Sequence, residues 1–233
     1  MIRHPWNITP KEAVALQRKL AGEVRIEPLQ EPVRTVAGAD CAFMGERHGR
    51  RQAPRGLIIA AAVVCDAKSM EVLATADITR PFEFPYVPGL LSFREAPAVI
   101  EAVEHLPRRP DLLMCDGQGY AHPRRFGLAS HVGVWLDTPT IGVAKSRLCG
   151  EAVEPGVARG RRAELLHNGE TIGAVLRTRA RVRPLCVSVG HRVTLDDAVR
   201  WVLSCAVRFR LPEPTRLADR LVSRLKKSAP GAL

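Results

Sequence analysis

Apolar and polar positions follow first a helical and then a strand-like period in the N-terminal third of the chain. Ala13, Leu16 and Leu20 recur at helical spacing behind Thr9, a capping residue, and predict a helix over residues 9–24. Three strand-like runs with short turns between them follow, over residues 33–43, 55–65 and 71–78. Consecutive strands with short connections predict an antiparallel meander.

The pattern changes after a proline-rich segment at residues 81–88. The next apolar positions have helical spacing over residues 90–105, with a bend expected at Pro97. A strand, a helix and a second strand are then predicted over residues 112–116, 126–136 and 140–144. This order is typical of a parallel crossover unit, so we expect a mixed sheet.

The C-terminal part continues with alternating elements. The predicted elements are strands at 170–177 and 185–189, a helix at 194–207 and a basic helix at 215–227. We expect residues 1–227 to form a single domain and residues 228–233 to form a disordered tail. The predicted fold class is α/β, with a mixed sheet of meander and parallel crossover strands flanked by helices.

The composition of the chain is strongly basic, as in proteins that bind polyanions. The chain has 233 residues, 46% of them hydrophobic, and a formal net charge of +11. This charge predicts binding to nucleic acid or to an acidic membrane surface, although simple solubility would also explain it. The chain lacks both an apolar run of about 18 residues and the apolar core of a secretion signal. We therefore expect a soluble, cytoplasmic protein without a membrane partner, whose six scattered cysteines are reduced.

Acidic, glycine and basic residues are concentrated directly after the predicted strand at residues 112–116. The segment reads Asp116-Gly117-Gln118-Gly119-Tyr120-Ala121-His122-Pro123-Arg124-Arg125. An aspartate at the end of a buried strand is suited to bind a metal, and the glycines allow close approach of a ligand. His122 and the two arginines could face a phosphate from the same loop.

Three further residues could complete such a site. Asp40 lies among small apolar residues in the first strand, where a carboxylate is costly without a metal or a partner, unless that strand is an edge facing water. Glu95 could bring another carboxylate from the helix after the proline-rich segment, or could be an ordinary solvated residue. Lys145 follows the strand at 140–144 and could contact a phosphate, or be a surface lysine. Together these residue types suit phosphodiester hydrolysis with Mg²⁺ or Mn²⁺.

A rigid turn, Pro85-Tyr86-Val87-Pro88-Gly89, is the other unusual feature. It would hold an aromatic and a branched side chain at a fixed angle, as a wedge that enters a base stack requires. The alternative is a stiff loop whose Tyr86 packs on the core.

With these segments assembled, the chain resembles the endonuclease V family over nearly its whole length. The resemblance rests on four blocks, Val36-Ala37-Gly38-Ala39-Asp40, Pro85-Tyr86-Val87-Pro88-Gly89-Leu90-Leu91-Ser92-Phe93-Arg94-Glu95, the segment from Asp116 to Arg124, and Thr140-Ile141-Gly142-Val143-Ala144-Lys145. A weaker fifth block, Ser188-Val189-Gly190-His191-Arg192-Val193, has Val189 where the family usually has proline. That departure leaves any role of His191 open.

The resemblance implies a ribonuclease-H-like fold and a DNA repair enzyme. It implies Mg²⁺-dependent cleavage of the second phosphodiester on the 3′ side of deoxyinosine, with 3′-hydroxyl and 5′-phosphate products. Asp40 and Asp116 would bind the metal, with Glu95 joining them directly or through water, and His122 and Lys145 would act on the phosphate and the attacking water. The implied substrate-binding residues are Pro85, Tyr86, Val87, Pro88, Gly89, Leu91, Gly117, Gly127 and Leu128.

Two other functions remain compatible with the sequence. One is a nuclease of the same fold that acts on inosine-containing RNA or on branched or flap DNA. The other is a nucleic-acid-binding protein that has lost the chemistry, against which the presence of the full acidic and basic set argues. We expect a monomer, and the sequence does not discriminate DNA from RNA.

Overall fold

The computed structural model describes residues 3–45 and 56–228. Its elements, in chain order, are α1 (Pro10–Ala21), β1 (Thr35–Met44), β2 (Leu57–Asp66), β3 (Val72–Pro81), α2 (Leu91–Glu104), β4 (Leu112–Cys115), α3 (Leu128–Leu136), β5 (Thr140–Ala144), β6 (Arg162–His167), β7 (Glu170–Leu176), β8 (Leu185–His191), α4 (Leu195–Cys205) and α5 (Glu213–Ser228).

One sheet of eight strands connects these elements, in the order β3-β2-β1-β4-β5-β8-β7-β6. Strands β1, β2 and β3 pair antiparallel, which confirms the predicted meander. Strand β4 pairs parallel with both β1 and β5, which confirms the predicted crossover unit. The remaining pairs, from β5 to β6, are antiparallel. The predicted mixed α/β class is therefore confirmed.

Side-chain alternation along the central strands divides the core between two faces of the sheet. Leu113 and Cys115 of β4 pack in the cluster that includes α2 and α3. Leu112 and Met114, which point the other way, pack in the cluster that includes α4. Helix α5 covers the same side through contacts with β2. Strand β4 is therefore buried on both faces along its whole length.

Two helices begin where the sequence predicts, because each has a capping box. The Thr9 hydroxyl accepts from the Glu12 N–H, and the Glu12 carboxylate accepts from the Thr9 N–H. Thr194 and Asp197 repeat this arrangement at the start of α4. Helix α1 ends earlier than predicted, at Ala21, directly before Gly22.

Strand β6 is the element that the sequence analysis missed. Of its residues only Leu165 is buried, so the strand has almost no apolar periodicity. Its antiparallel pairing with β7 specifies it instead. Arg55, the predicted start of the second strand, and residues 229–233 of the predicted tail lie outside the described residues.

Two expectations about residue environment can be compared with the structure. All six cysteines are free. In the described part of the chain, no helix combines the length and apolar character needed to cross a bilayer.

Candidate active site

Asp40 and Asp116 are neighbours because of the register between β1 and β4. These strands are parallel, and Ala39 lies opposite Cys115, so the residues that follow them meet at the same edge. The Asp116 N–H donates to the Ala39 carbonyl at 3.1 Å. Strand β1 lies inside the sheet, between β2 and β4, so the alternative of an edge-strand Asp40 is wrong.

A third carboxylate, Asp219 of α5, completes a cluster that the sequence analysis did not find. Carboxylate oxygens of Asp40, Asp116 and Asp219 lie within 4.8 Å of one another. We call these three residues the acidic cluster. Asp219 is an acid in an otherwise strongly basic stretch of helix, which is a weak signal, and its place beside Asp40 depends on helix packing.

Gly38 permits that packing. A Cβ atom at Gly38 would lie 2.1 Å from the carbonyl carbon of Pro214, in the first turn of α5. Any larger residue would therefore push the helix off β1. The small residues of the Val-Ala-Gly-Ala-Asp motif thus bring α5 close enough for Asp219 to face Asp40.

Glu95 lies beside the acidic cluster but outside its close group of oxygens. Glu95 lies on α2 and is only 9% exposed, so the alternative of a solvated glutamate is wrong. Burial raises the pKa of Glu95, and the charges of Asp40 and Asp116 raise it further, to about 8. The Glu95 side chain shares a hydrogen bond with Cys41.

The acidic cluster has the properties of a divalent-metal site. Burial raises the pKa of Asp40, and the charge of Asp116 adds to this, so that the pKa reaches about 7. Carboxylates that repel one another in this way are stabilised by a bound cation. Because all three donors are carboxylate oxygens, with neither histidine nor cysteine among them, the set suits Mg²⁺ or Mn²⁺ better than Zn²⁺.

Lys145 provides a positive charge next to the acidic cluster. Its Nζ lies 2.5 Å from Asp116 Oδ2 and 3.4 Å from Asp219 Oδ1. Burial lowers the pKa of Lys145, but the hydrogen bond and charge of Asp116 outweigh this and raise it overall. Lys145 is therefore protonated at neutral pH, and it is more than an isolated surface lysine.

A cleft of about 320 Å³ opens beside the acidic cluster, and we call it the base cleft. Eight of the nine predicted substrate-binding residues line it, namely Tyr86, Val87, Pro88, Gly89, Leu91, Gly117, Gly127 and Leu128. Pro85, the ninth, is not among the lining residues. Tyr86 is 68% exposed, so the alternative in which it packs on the core is wrong.

Gly89 forms a rigid part of the wall of the base cleft. Its φ of +78° is in the left-handed region, which favours glycine. Its carbonyl accepts from Gln17 Nε2 at 3.1 Å, from His122 Nε2 at 3.0 Å and from Arg124 Nη2 at 2.7 Å. Gln17, which the sequence analysis did not single out, is fully buried. Three donors therefore hold one backbone group of the cleft in place.

His122 lines the base cleft, yet the protein engages both of its ring nitrogens. Nε2 donates to the Gly89 carbonyl, and Nδ1 accepts from the Arg124 N–H at 3.1 Å. Burial and the charge of Arg124 lower the pKa of His122 to about 4. The structure therefore shows a neutral, buried histidine that holds the cleft wall.

The two arginines of the same loop also bond to the protein. Arg124 Nε donates to Gln17 Oε1 at 2.5 Å, and Arg125 Nε donates to Glu170 Oε2 at 2.8 Å. His191 lies elsewhere, because it pairs with Thr140 at the beginning of β5, whereas Lys145 follows the end of that strand. His191 is therefore separated from the acidic cluster by the length of β5.

Comparison with known proteins identifies the family of this chain. Residues 18–220 match the sequence model of the endonuclease V family. The endonuclease V of Azotobacter vinelandii is 52% identical over 219 residues, which are 94% of this chain and 96% of that protein.

Solved structures extend the likeness to the fold. The endonuclease V of Streptomyces avermitilis has a TM-score of 0.88 and 45% identity, covering 97% of this chain and 96% of that one. Endonuclease V of Ciona intestinalis, in complex with a 24mer DNA containing an inosine followed by a ribo-adenosine, has a TM-score of 0.76 and 25% identity, covering 94% and 98%. The ribonuclease-H-like fold implied by the resemblance is thereby confirmed. The chain belongs to the endonuclease V family of nucleases.

Proposed function

We propose that this protein is a Mg²⁺-dependent DNA repair endonuclease that recognises deoxyinosine. It hydrolyses the second phosphodiester bond on the 3′ side of the lesion and leaves 3′-hydroxyl and 5′-phosphate ends. The carrying observation is that the base cleft is lined by Asp116 of the acidic cluster and by Lys145, which bonds to Asp116, so a base held in the cleft brings its own strand to the carboxylates. The Ciona intestinalis complex with inosine-containing DNA supports the choice of lesion.

Recognition of hypoxanthine suits a cleft with backbone in its wall. Gly89, Gly117 and Gly127 line the base cleft, and none of them has a side chain that would separate its backbone from a ligand. Hypoxanthine has an oxygen where adenine has an amine. A peptide N–H directed there would donate a hydrogen bond to hypoxanthine, whereas in adenine it would face a second donor. The exposed Tyr86 would part the stack from which the base is extruded.

Each residue near the scissile phosphate then has a distinct task. Asp40, Asp116 and Asp219 would hold Mg²⁺, for which Mn²⁺ would substitute, with Glu95 beside them. Once bound, the ion would supply charge neutralisation at the phosphate and favour ionisation of the attacking water. Lys145, oriented by Asp116, would donate to a phosphate oxygen or to that water. His122 would act through Gly89, by holding the cleft wall.

The direct test is cleavage of an end-labelled duplex that carries a single deoxyinosine. We expect a nick one nucleotide beyond the 3′ phosphate of the inosine itself, with Mg²⁺ and not with EDTA. The matched adenine duplex should stay intact. Absence of any inosine-dependent nick would contradict the proposal and favour a branched substrate.

Inosine-containing RNA is the second candidate substrate. It is favoured by the ribo-adenosine that follows the inosine in the Ciona intestinalis complex. Comparing the cleavage rates of matched strands that carry deoxyribose or ribose at that position would show which of the two substrates is preferred. The Asp116→Ala variant separates an enzyme from a pure binding protein, because it should lose cleavage and keep binding.

We also propose that residues 1–227 act as one catalytic domain and that the protein works as a cytoplasmic monomer. The single sheet from β3 to β6 supports one domain. Light scattering of the free protein and of its DNA complex would test the monomer, and fractionation of cells would test the location.

A further inference from the structure

A second cleft, of about 480 Å³, lies next to the base cleft. Lys145, Ser146 and Arg147 line both, so this segment forms the ridge between them. The rest of the second cleft is built by residues 152–154, Val175, Arg183, Pro184 and Cys186, none of which lines the base cleft. We call it the arginine cleft, after Arg147 and Arg183. A strand leaving the base cleft past Lys145 would enter it.

The net charge of the arginine cleft is positive. Arg147 and Arg183 are both exposed, and neither forms an ion pair with an acidic side chain of the described residues. Glu154, the carboxylate among the lining residues, is instead paired with Arg177, whose Nη2 lies 2.6 Å from its Oε1. An anion entering the cleft would therefore meet arginines whose charge is not already neutralised.

Side chains that donate to backbone carbonyls hold the two arginine-bearing segments in a fixed relation. Arg210 Nη2 donates to the Lys145 carbonyl at 2.9 Å and to the Pro184 carbonyl at 2.8 Å, which ties one segment to the other. Gln118 Nε2 donates to the Ser146 carbonyl at 2.8 Å, which ties the ridge to the loop after Asp116. The arginine cleft is thus positioned relative to the acidic cluster.

Three arginines from separate segments act electrostatically on Cys186, which lines the arginine cleft. Burial raises the pKa of the Cys186 thiol, while the charges of Arg147, Arg210 and Arg183 oppose that rise. Burial and the charge of Arg183 lower the pKa of Arg210. An anion bound among these arginines would offset the repulsion between Arg183 and Arg210.

We propose that the arginine cleft is a phosphate-binding subsite for the cleaved DNA strand, in which Arg147 and Arg183 bind the backbone on the 3′ side of the scissile bond. Guanidinium groups match phosphate oxygens in charge and in bidentate geometry. The inference rests on the proposed function for its direction. If the recognised base precedes the cleaved bond, a strand that runs from the base cleft past Lys145, which bonds to Asp116, would reach the arginine cleft on its 3′ side.

The test is equilibrium binding of a deoxyinosine duplex in EDTA, over a range of KCl concentrations. Arg147→Ala and Arg183→Ala should each weaken binding about 10-fold, and should each reduce the slope of log affinity against log salt by about 0.7 to 0.9. The matched control is Arg108→Ala. Arg108 is also exposed, but it precedes β4 and so lies at the opposite end of that strand from Asp116. A merely structural role for the arginines would not change the slope. If both variants match Arg108→Ala in slope, the proposal is overturned.

Truncated duplexes test the direction. On a duplex that ends at the scissile bond on its 3′ side, Arg147→Ala, Arg183→Ala and wild type should bind equally, because the contacted phosphates are gone. If the difference survives 3′ truncation and disappears on 5′ truncation, the assignment to the 3′ side is wrong.

Nicking of the full duplex by the wild-type protein with Mg²⁺ separates this inference from the proposed function. A normal nick together with unchanged slopes in both variants overturns the subsite alone. A reduced slope of log affinity against log salt in both variants supports phosphate binding by the arginine cleft. This holds even if the wild type fails to nick at deoxyinosine, which would refute the proposed lesion.

Discussion

Asp219 reaches the acidic cluster from a different part of the chain than Asp40 and Asp116. The latter two come from adjacent parallel strands, whereas Asp219 comes from the last helix. The Asp219 carboxylate also accepts a hydrogen bond from Lys145, so it lies beside both the carboxylates and the positive charge of the site. If Asp219 is a metal ligand, removing its charge should weaken metal binding more than it weakens nucleic-acid binding.

Asp219→Asn should lower the affinity for Mn²⁺ by at least about 10-fold, the size of loss that even indirect partners of metal ligands produce. Cleavage should fall with it, while binding of the lesion duplex in EDTA should be kept. Titration calorimetry measures the first effect. The control is Asp77→Asn, the same change at an exposed position on β3. Equal metal affinity in the two variants would exclude Asp219 as a ligand.

The lowered pKa of His122 predicts a loss of stability in acid. Its native pKa of about 4 lies below its ordinary value of 6.5, because burial and Arg124 disfavour the charged ring. Between those two values the unfolded chain binds more protons than the folded one, so the free energy of unfolding falls as the pH falls. The limit of this effect is about 1.4 kcal/mol per pH unit.

Urea unfolding of wild type and His122→Gln at pH 7, 5 and 4 measures it. Glutamine can still donate to the Gly89 carbonyl, but it does not titrate. The variant should lose less stability than the wild type on going from pH 7 to pH 4. Parallel losses would show that His122 is not the titrating group.

At the scale of elements, the contact between β1 and α5 decides whether the acidic cluster forms. Gly38 faces the backbone of Pro214 and Thr215, which cannot move without the rest of the helix. Residues further along α5, Ala218 and Val222, are buried against β2. The same packing thus stabilises the fold and places Asp219.

Gly38→Ala should lower the free energy of unfolding by about 1–3 kcal/mol, the usual cost of overpacking. It should also weaken Mn²⁺ binding, because a displaced α5 carries Asp219 away from Asp40. Chemical denaturation and metal titration test both effects. The control is Gly22→Ala, where φ is −70° and the nearest atom to a new Cβ lies at 3.6 Å, so no loss is expected. Unchanged metal binding in Gly38→Ala would contradict this account.

At the scale of the whole molecule, the acidic cluster lowers the stability of the metal-free protein. Three carboxylates and the neighbouring Glu95 are held together by the sheet and two helices, although burial and mutual repulsion raise the pKa of Asp40 and Glu95. A cation that binds only the folded protein relieves this repulsion and stabilises the whole fold.

Mg²⁺ at about 100 times its Kd should therefore stabilise the protein by about 2.7 kcal/mol. For a chain of this size the Tm should rise by about 5–10 °C. Thermal unfolding in MgCl₂ and in EDTA with NaCl of equal ionic strength measures this. Asp219→Asn should show a smaller rise. An equal Tm in both buffers for the wild type would mean that the cluster binds no Mg²⁺ in the free protein.

The sequence by itself determined the mixed α/β architecture and two of the three clustered carboxylates. Periodicity revealed the meander and the crossover unit because those strands are buried on one or both faces. Asp40 and Asp116 were detectable because a carboxylate in or after an apolar strand is costly without a partner. The turn with Tyr86 was recognisable because its prolines limit the backbone locally.

Only the tertiary structure decided the rest. Strand β6 has one buried side chain and depends on its pairing with β7. Asp219 and the arginine cleft are assembled by contacts between segments far apart in the chain, such as Gly38 with Pro214 and Arg210 with Lys145. His122 turns toward Gly89 because neighbouring donors and burial, which no local pattern encodes, set its hydrogen bonds. Local sequence specifies elements and their costly residues, whereas long-range packing specifies which side chains meet.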